Sequence, residues 1–150
     1  MKKKSIRDYL PDASDDFWLI DEAFLKIAEK EKRQGTDALS GPEKAVGLVW
    51  HVYGIVGNGG LHYFFEHTFD VEEVAGAYEA VGLRKQAAIL RKAITKFPNS
   101  RRPRSFRQCL KILDEHDAYF ESLSMKFLGD EDAVERVVAA YIKKRPQDFL

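Results

Sequence analysis

The side chains with chemistry to offer are four histidines, one cysteine and a spread of carboxylates. His62 and Glu66 stand four residues apart, the spacing at which two metal ligands share one helix face. Spacing places no third ligand, and no His-Glu-x-x-His motif occurs, so we expect an exposed polar face and neither metal nor cofactor. His51 falls in the most apolar segment, where a buried imidazole must find a partner. A satisfied core histidine is expected there rather than a catalytic base. Cys109 lies on an apolar helical stripe and reads as a small core residue rather than a nucleophile. Asp114, Glu115 and Asp117 crowd one short stretch, whereas glycoside-type chemistry needs two carboxylates across a cleft. Gly57-Asn58-Gly59-Gly60 lacks the following Lys-Ser/Thr and the preceding strand of a phosphate-binding loop. The expectation is a protein that is not an enzyme. A small enzyme around His51, or around His62 and Glu66, is the lesser alternative.

Charge carries a clearer pattern. Lys and Arg total 24 and so do Asp and Glu, giving a formal net charge of zero. Ten bases nonetheless occur from Arg84 to Lys111 without one acid: Arg84, Lys85, Arg91, Lys92, Lys96, Arg101, Arg102, Arg104, Arg107 and Lys111. Residues 112–135 hold eight acids and the single base Lys126, and residues 66–79 add five acids and no base. On a helix beginning at Leu83, the bases through Lys96 occupy the arc opposite the leucine stripe. Such a face suits phosphate or an acidic partner surface. It also suits the protein's own acidic segments, within a chain or across a dimer, and charge runs are often plain solvated faces. The loop from Arg101 to Arg104 has no helical neighbours in sequence to balance it. Phe97 and Phe106 are placed for the core, which leaves few aromatics for base stacking and makes nucleic acid the alternative partner.

Length and composition bound the rest. At 150 residues, one domain over residues 1–150 is expected, with hydrophobic residues at 45%. Such a chain buries roughly 70% of its unfolded surface. One cysteine excludes a disulfide framework and a Cys-based zinc finger. The basic start MKKKSIRDYLPD is followed by no apolar targeting segment, and AVGLVWHVYGIVG is too short to span a bilayer. A soluble protein of a reducing compartment is the expectation.

The elements that must position these residues read as helices. Ser14 caps a helix over 14–34 with Phe17, Ile20, Phe24 and Ile27 inward, ended by Gly35. Ser40-Gly41-Pro42-Glu43 is a capping box. Residues 45–57 suit either a buried strand or a helix by periodicity, and the preceding cap favours helix. Read so, Val46, Val49, Trp50, Tyr53 and Val56 share one face, and Gly47, His51, Gly54 and Asn58 a second, small one that admits a neighbouring helix closely. Asn58-Gly59-Gly60 predicts a chain reversal, then a short helix with Leu61, Phe64 and Phe65 inward. Asp70-Val71-Glu72-Glu73 predicts another capping box, and Gly82 a helix end. The next helix runs from Leu83 towards Pro98. Phe106, Cys109, Leu113, Phe120, Leu123 and Phe127 predict one longer helix, and Asp130 caps the last. Together they predict an all-α, compact bundle of about seven helices.

The segment Val52–Phe65 resembles the DNA-mimic-protein-like family of small bacterial helical proteins. Asn58, Gly59 and Gly60 match its Asn-Gly-Gly motif, Leu61 stands where an aromatic is usual, and Tyr63-Phe64 fits its aromatic pair. Ala80-Val81-Gly82-Leu83 with Ala87, Leu90 and Ala93, then Leu113-Asp114, Tyr119-Phe120, Tyr141-Ile142 and Phe149, extend the likeness over about residues 40–150. The resemblance implies an all-α fold, a cytoplasmic location, dimerisation and no known catalysis. The best-understood member presents a DNA-like acidic surface to a transcription regulator, and others accompany bacterial toxins as candidate immunity proteins. A DNA mimic needs ordered negative charge, and a neutral chain with ten uninterrupted cations departs from that pattern. The matching residues are mostly those a fold requires. The expected function is a protein-interaction module, a regulator of a DNA-binding or toxin protein, that docks through segregated charge. Either Arg84, Lys85, Arg91, Lys92, Lys96, Arg101, Arg102, Arg104 and Arg107 meet an acidic surface, or the acidic segments 112–135 and 66–79 meet a basic one. It is expected to form a homodimer and to have no membrane association.

Overall fold

The computed structural model describes residues 5–6 and 16–149, which form eight α-helices and no strand. These are α1 (Asp16–Gln34), α2 (Gly41–Glu66), α3 (Val71–Val81), α4 (Arg84–Ile94), α5 (Phe106–Glu115), α6 (Asp117–Leu128), α7 (Glu131–Lys143) and α8 (Pro146–Phe149). α2 is the axis on which α1, α3, α5, α6 and α8 pack. α3 pairs with α4, α1 with α7, and α4 also leans on α6. Buried apolar residues from every helix join in one core. The expected cap at Ser14 lies outside the described residues.

Local sequence accounts for most of these elements. Ser40 accepts from the Glu43 N–H at 3.2 Å, and the Glu43 carboxylate accepts from the Ser40 N–H at 3.0 Å, the reciprocal pair that starts α2. That start decides helix over strand for residues 45–57, with Val46, Val49, Tyr53 and Val56 buried as expected. The small stripe works at one point: a Cβ on Gly47 would lie 3.1 Å from Ile27 Cγ2, so α1 approaches closely there, while Gly54 meets open space. At the start of α3, Asp70 accepts from the N–H groups of Glu72 and Glu73. Only one half of the expected box is made. Gly82 closes α3 at a φ of 99°.

The Asn-Gly-Gly segment parts two helical stretches of α2 by a kink rather than a full reversal, with non-helical backbone at Gly59 (φ −151°, ψ 15°) and Gly60 (φ 70°, ψ −171°). The short helix expected beyond it follows, with Leu61, Phe64 and Phe65 buried. The Gly60 geometry is accessible essentially to glycine alone. A Cβ on Gly59 would lie 2.5 Å from Tyr63 Cβ, so that position excludes a side chain as well. The break leaves the Leu61 N–H without a helical acceptor, and Ser124 Oγ takes it at 2.7 Å. Ser124 in turn donates to the Phe120 carbonyl at 2.7 Å.

Three further expectations change. The stripe from Phe106 to Phe127 belongs to two helices, parted at His116 (φ −119°, ψ 27°), and both pack on α2. α4 stops at Ile94, ahead of Pro98, although Phe97 is still buried. Phe17 and Phe106 are 41% and 52% exposed, each in the first turn of its helix, where the stripe overhangs the core. α8, a single turn from Pro146, and the split at His116 each add a helix, and the joining of the stretches either side of Gly59 and Gly60 into α2 removes one, which gives eight elements where about seven were expected.

Candidate functional site

The basic segment enters the fold on α4, on the loop that follows and on α5. Arg91 is drawn into the protein's own acidic segment. Its Nε and Nη2 grip the Glu72 carboxylate at 2.6–3.2 Å, and its Nη1 reaches Glu79, so α4 is clamped to α3. These bonds raise the Arg91 guanidinium further above its already high value and hold Glu72 below the usual carboxylate range. Arg102 donates to the Phe65 carbonyl at 2.6 Å and the Pro103 carbonyl at 2.9 Å, which binds the arginine loop to the last turn of α2. Lys96 lies 4.4 Å over the Tyr119 ring. Lys111 sits 4.0 Å from Glu115. Arg84, Lys85, Lys92, Arg101, Arg104 and Arg107 are exposed and have no ion pair among the described residues. Arg101 and Arg104 edge a cleft of about 640 Å³ whose opposite side holds Asp70 and Glu72.

Acidic residues gather at the start of α7, where Asp130 caps the helix by accepting from the Ala133 N–H at 3.1 Å. Burial, together with Glu131, Asp132 and Asp16, raises the Glu135 carboxyl above its ordinary value. Burial and the same acidic turn push Tyr53 to about 12 while its hydroxyl donates to the Leu128 carbonyl. No cation lies within ion-pair distance of Glu131, Asp132 or Glu135 among the described residues. Among the described residues this turn therefore holds carboxylates without an ion-pair partner.

The histidines are deployed differently from expectation. His62 does not team with Glu66; its Nε2 lies 3.0 Å from Asp114 Oδ1 on α5. Among the described residues no group of three or more His, Cys, Asp or Glu side chains is placed to hold a metal ion. His51 is exposed rather than buried, because the small stripe of α2 that carries it is left uncovered beyond Gly47. Its ring lies parallel to Phe24 at 6.4 Å and edge-on to Phe69 at 5.9 Å. These rings line a cleft of about 730 Å³ between α1, α2 and α3, which sequence reading missed. The available signal was the run of Gly47 and His51 on one face of α2. Neither contact of the His51 ring is with a carboxylate or a nucleophile.

Cys109 is buried with Sγ 3.4 Å from the Phe65 carbonyl. Burial raises its thiol against the opposing pull of Arg102, which keeps it protonated and unreactive. Of the motif residues, Phe64 is core and Asn58 is exposed, while Tyr63 packs 4.8 Å from His67 and fills the space that Gly59 leaves. Among the described residues no helix is long and apolar enough to cross a membrane.

The described residues form an all-α bundle with exposed charge of both signs. The chain belongs to the DMP19-like protein family, whose model matches residues 37–145, well over half its length. Membership fits a protein-interaction role of the DNA-mimic kind at a coarse level and suggests a non-enzymatic protein that binds proteins which normally bind DNA. No curated protein and no solved structure matches the chain.

Proposed function

We propose that this chain is a non-enzymatic docking module that regulates a DNA-binding or toxin protein by occupying its basic surface. One observation carries the reading: among the described residues, the acidic side chains at the start of α7 have no ion pair although the chain as a whole is neutral. Segregated charge of this kind steers encounter and sets orientation more than it sets final affinity. The exposed bases Arg84, Lys85, Lys92, Arg101, Arg104 and Arg107 give α4, the loop after it and α5 a positive pole, which repels a basic partner and so helps to orient it. Lys96 and Arg91 sit within that pole but are engaged by Tyr119 and by Glu72 and Glu79.

Capture of partners on the immobilised chain tests this. The reading expects a DNA-binding protein that is released both by raised salt and by random duplex DNA, and that is lost with the combined Glu131→Gln, Asp132→Asn and Glu135→Gln variant. Binding indifferent to salt, or retained by that variant, overturns it. A mobility shift of duplex by the chain itself, abolished by Arg101→Ala with Arg104→Ala and Arg107→Ala, instead supports the nucleic-acid alternative.

Pairing with a second copy in a cytoplasmic setting belongs to the same reading. It is supported by Phe17, Trp18 and Leu25, which leave an apolar strip on α1 at 41%, 55% and 52% exposure. Sedimentation equilibrium of Trp18→Glu against the parent chain tests it, with loss of the dimer expected.

A further inference from the structure

The cleft around His51 takes no part in the docking reading, yet its chemistry specifies an occupant. α1 contributes Phe24 and Glu31, α2 contributes Leu48 and His51, Phe69 comes from the α2–α3 turn and Glu73 from α3. Its volume of about 730 Å³ falls in the range of small-molecule sites, roughly 300–1,000 Å³. The lining is mostly apolar, with the rings of Phe24 and Phe69 each against His51. Its charged members are Glu31, Glu43, Glu73 and Lys44. Glu43 is already held by Lys30 at 2.9 Å, and Glu31 accepts from the Thr36 hydroxyl at 3.0 Å. Glu73 has no cation within ion-pair distance among the described residues and is exposed at the mouth. Aromatic faces beside an unpaired carboxylate favour a positive head group. The α1 wall lies outside residues 37–145, so the complete cleft is a feature of this chain rather than of the matched segment.

We infer that this cleft binds a small amphipathic cation, its alkyl or aryl body seated on Phe24, Leu48 and Phe69 and its ammonium group held by Glu73. Octylamine, octanol and octanoate share one tail and differ in charge, so titrating the full chain with each separates apolar burial from charge. Two-dimensional NMR locates the site. The expected order is octylamine tightest and octanoate weakest, with shifts centred on His51, Phe69 and Ala28. Glu73→Gln weakens octylamine about threefold, the effect of one exposed ion pair, and leaves octanol unchanged. Ala28→Trp, at an exposed position on the α1 lip, blocks all three probes. Equal affinity for the three probes, no binding by any of them, or shifts centred elsewhere overturns the assignment. So does octylamine affinity untouched by Glu73→Gln, an arm that stands even if Ala28→Trp fails to fold.

Discussion

One hydroxyl, that of Ser124, accepts from Leu61 and donates to Phe120, and so holds a broken helix to its neighbour. Ser124→Ala leaves a buried amide without an acceptor, which costs about 1–3 kcal/mol. Urea unfolding followed by circular dichroism measures the loss, and a change below about 0.5 kcal/mol would show that the amide finds another acceptor. Glu43 is the other residue with a legible consequence. Burial raises its carboxyl, but the Ser40 N–H, Lys30 and the Ser40 hydroxyl outweigh that and leave it lowered from 4.5. A lowered folded value stabilises above the ordinary one, and the benefit is lost as pH falls through the folded value. Glu43→Gln is therefore expected to lower stability at neutral pH. The gap between variant and parent closes below pH 4.5 in thermal melts across the acid range. These two residues also mark what sequence reveals. Ser40 and Glu43 are three apart and their reciprocal bond is written in the local order of residue types. Ser124 and Leu61 are 63 apart, and only the packing of α6 on α2 brings them together.

Caps and stops explain why the elements were largely readable. Ser40, Asp70 and Asp130 each accept backbone N–H groups at a helix start, and Gly35 and Gly82 take positive φ after a helix end. Apolar periodicity misled where helices continue in phase: the stripe through Leu113 and Phe120 carries no mark of the turn at His116. The glycines after Asn58 announced both the departure from helical geometry and the short helix beyond it, but not that the chain would kink rather than reverse. Contacts between elements were not readable at all. The largely buried pair between Lys143 on α7 and Asp16 at the start of α1, 2.8 Å apart, spans 127 residues. Lys143→Ala strands the Asp16 carboxylate in a largely buried site and is expected to cost about 1–3 kcal/mol. A double-mutant cycle with Asp16→Asn separates the pair from the individual side chains, and additive effects would show that the bridge carries no coupling.

For the whole molecule, segregation of charge was visible in the linear order of residues, and pairing of the basic face with the chain's own acids was one of the readings it left open. Arg91 follows that reading, bound to Glu72 and Glu79 where α4 lies beside α3, while which base pairs and which does not was set by the packing. Among the described residues the acidic turn of α7 has no ion pair. Glu135 is raised chiefly by burial and then by Glu131, Asp132 and Asp16, so its ionised form is held at a cost in the folded protein. A raised carboxyl opposes folding once it ionises. Glu135→Gln should thus increase the thermal midpoint at pH 7, with the gain fading towards pH 4; an unchanged midpoint at pH 7 contradicts this. If this turn meets a basic partner, the variant gains stability while losing binding, and the two readouts move in opposite directions.

α1 stands outside the segment that defines the family, yet Leu19, Ile20, Ala23 and Ile27 cover the apolar surfaces of α2 and α7. A chain cut back to that segment would bare a broad hydrophobic patch and self-associate or precipitate. Its solubility in isolation therefore depends on a helix that family membership alone does not supply.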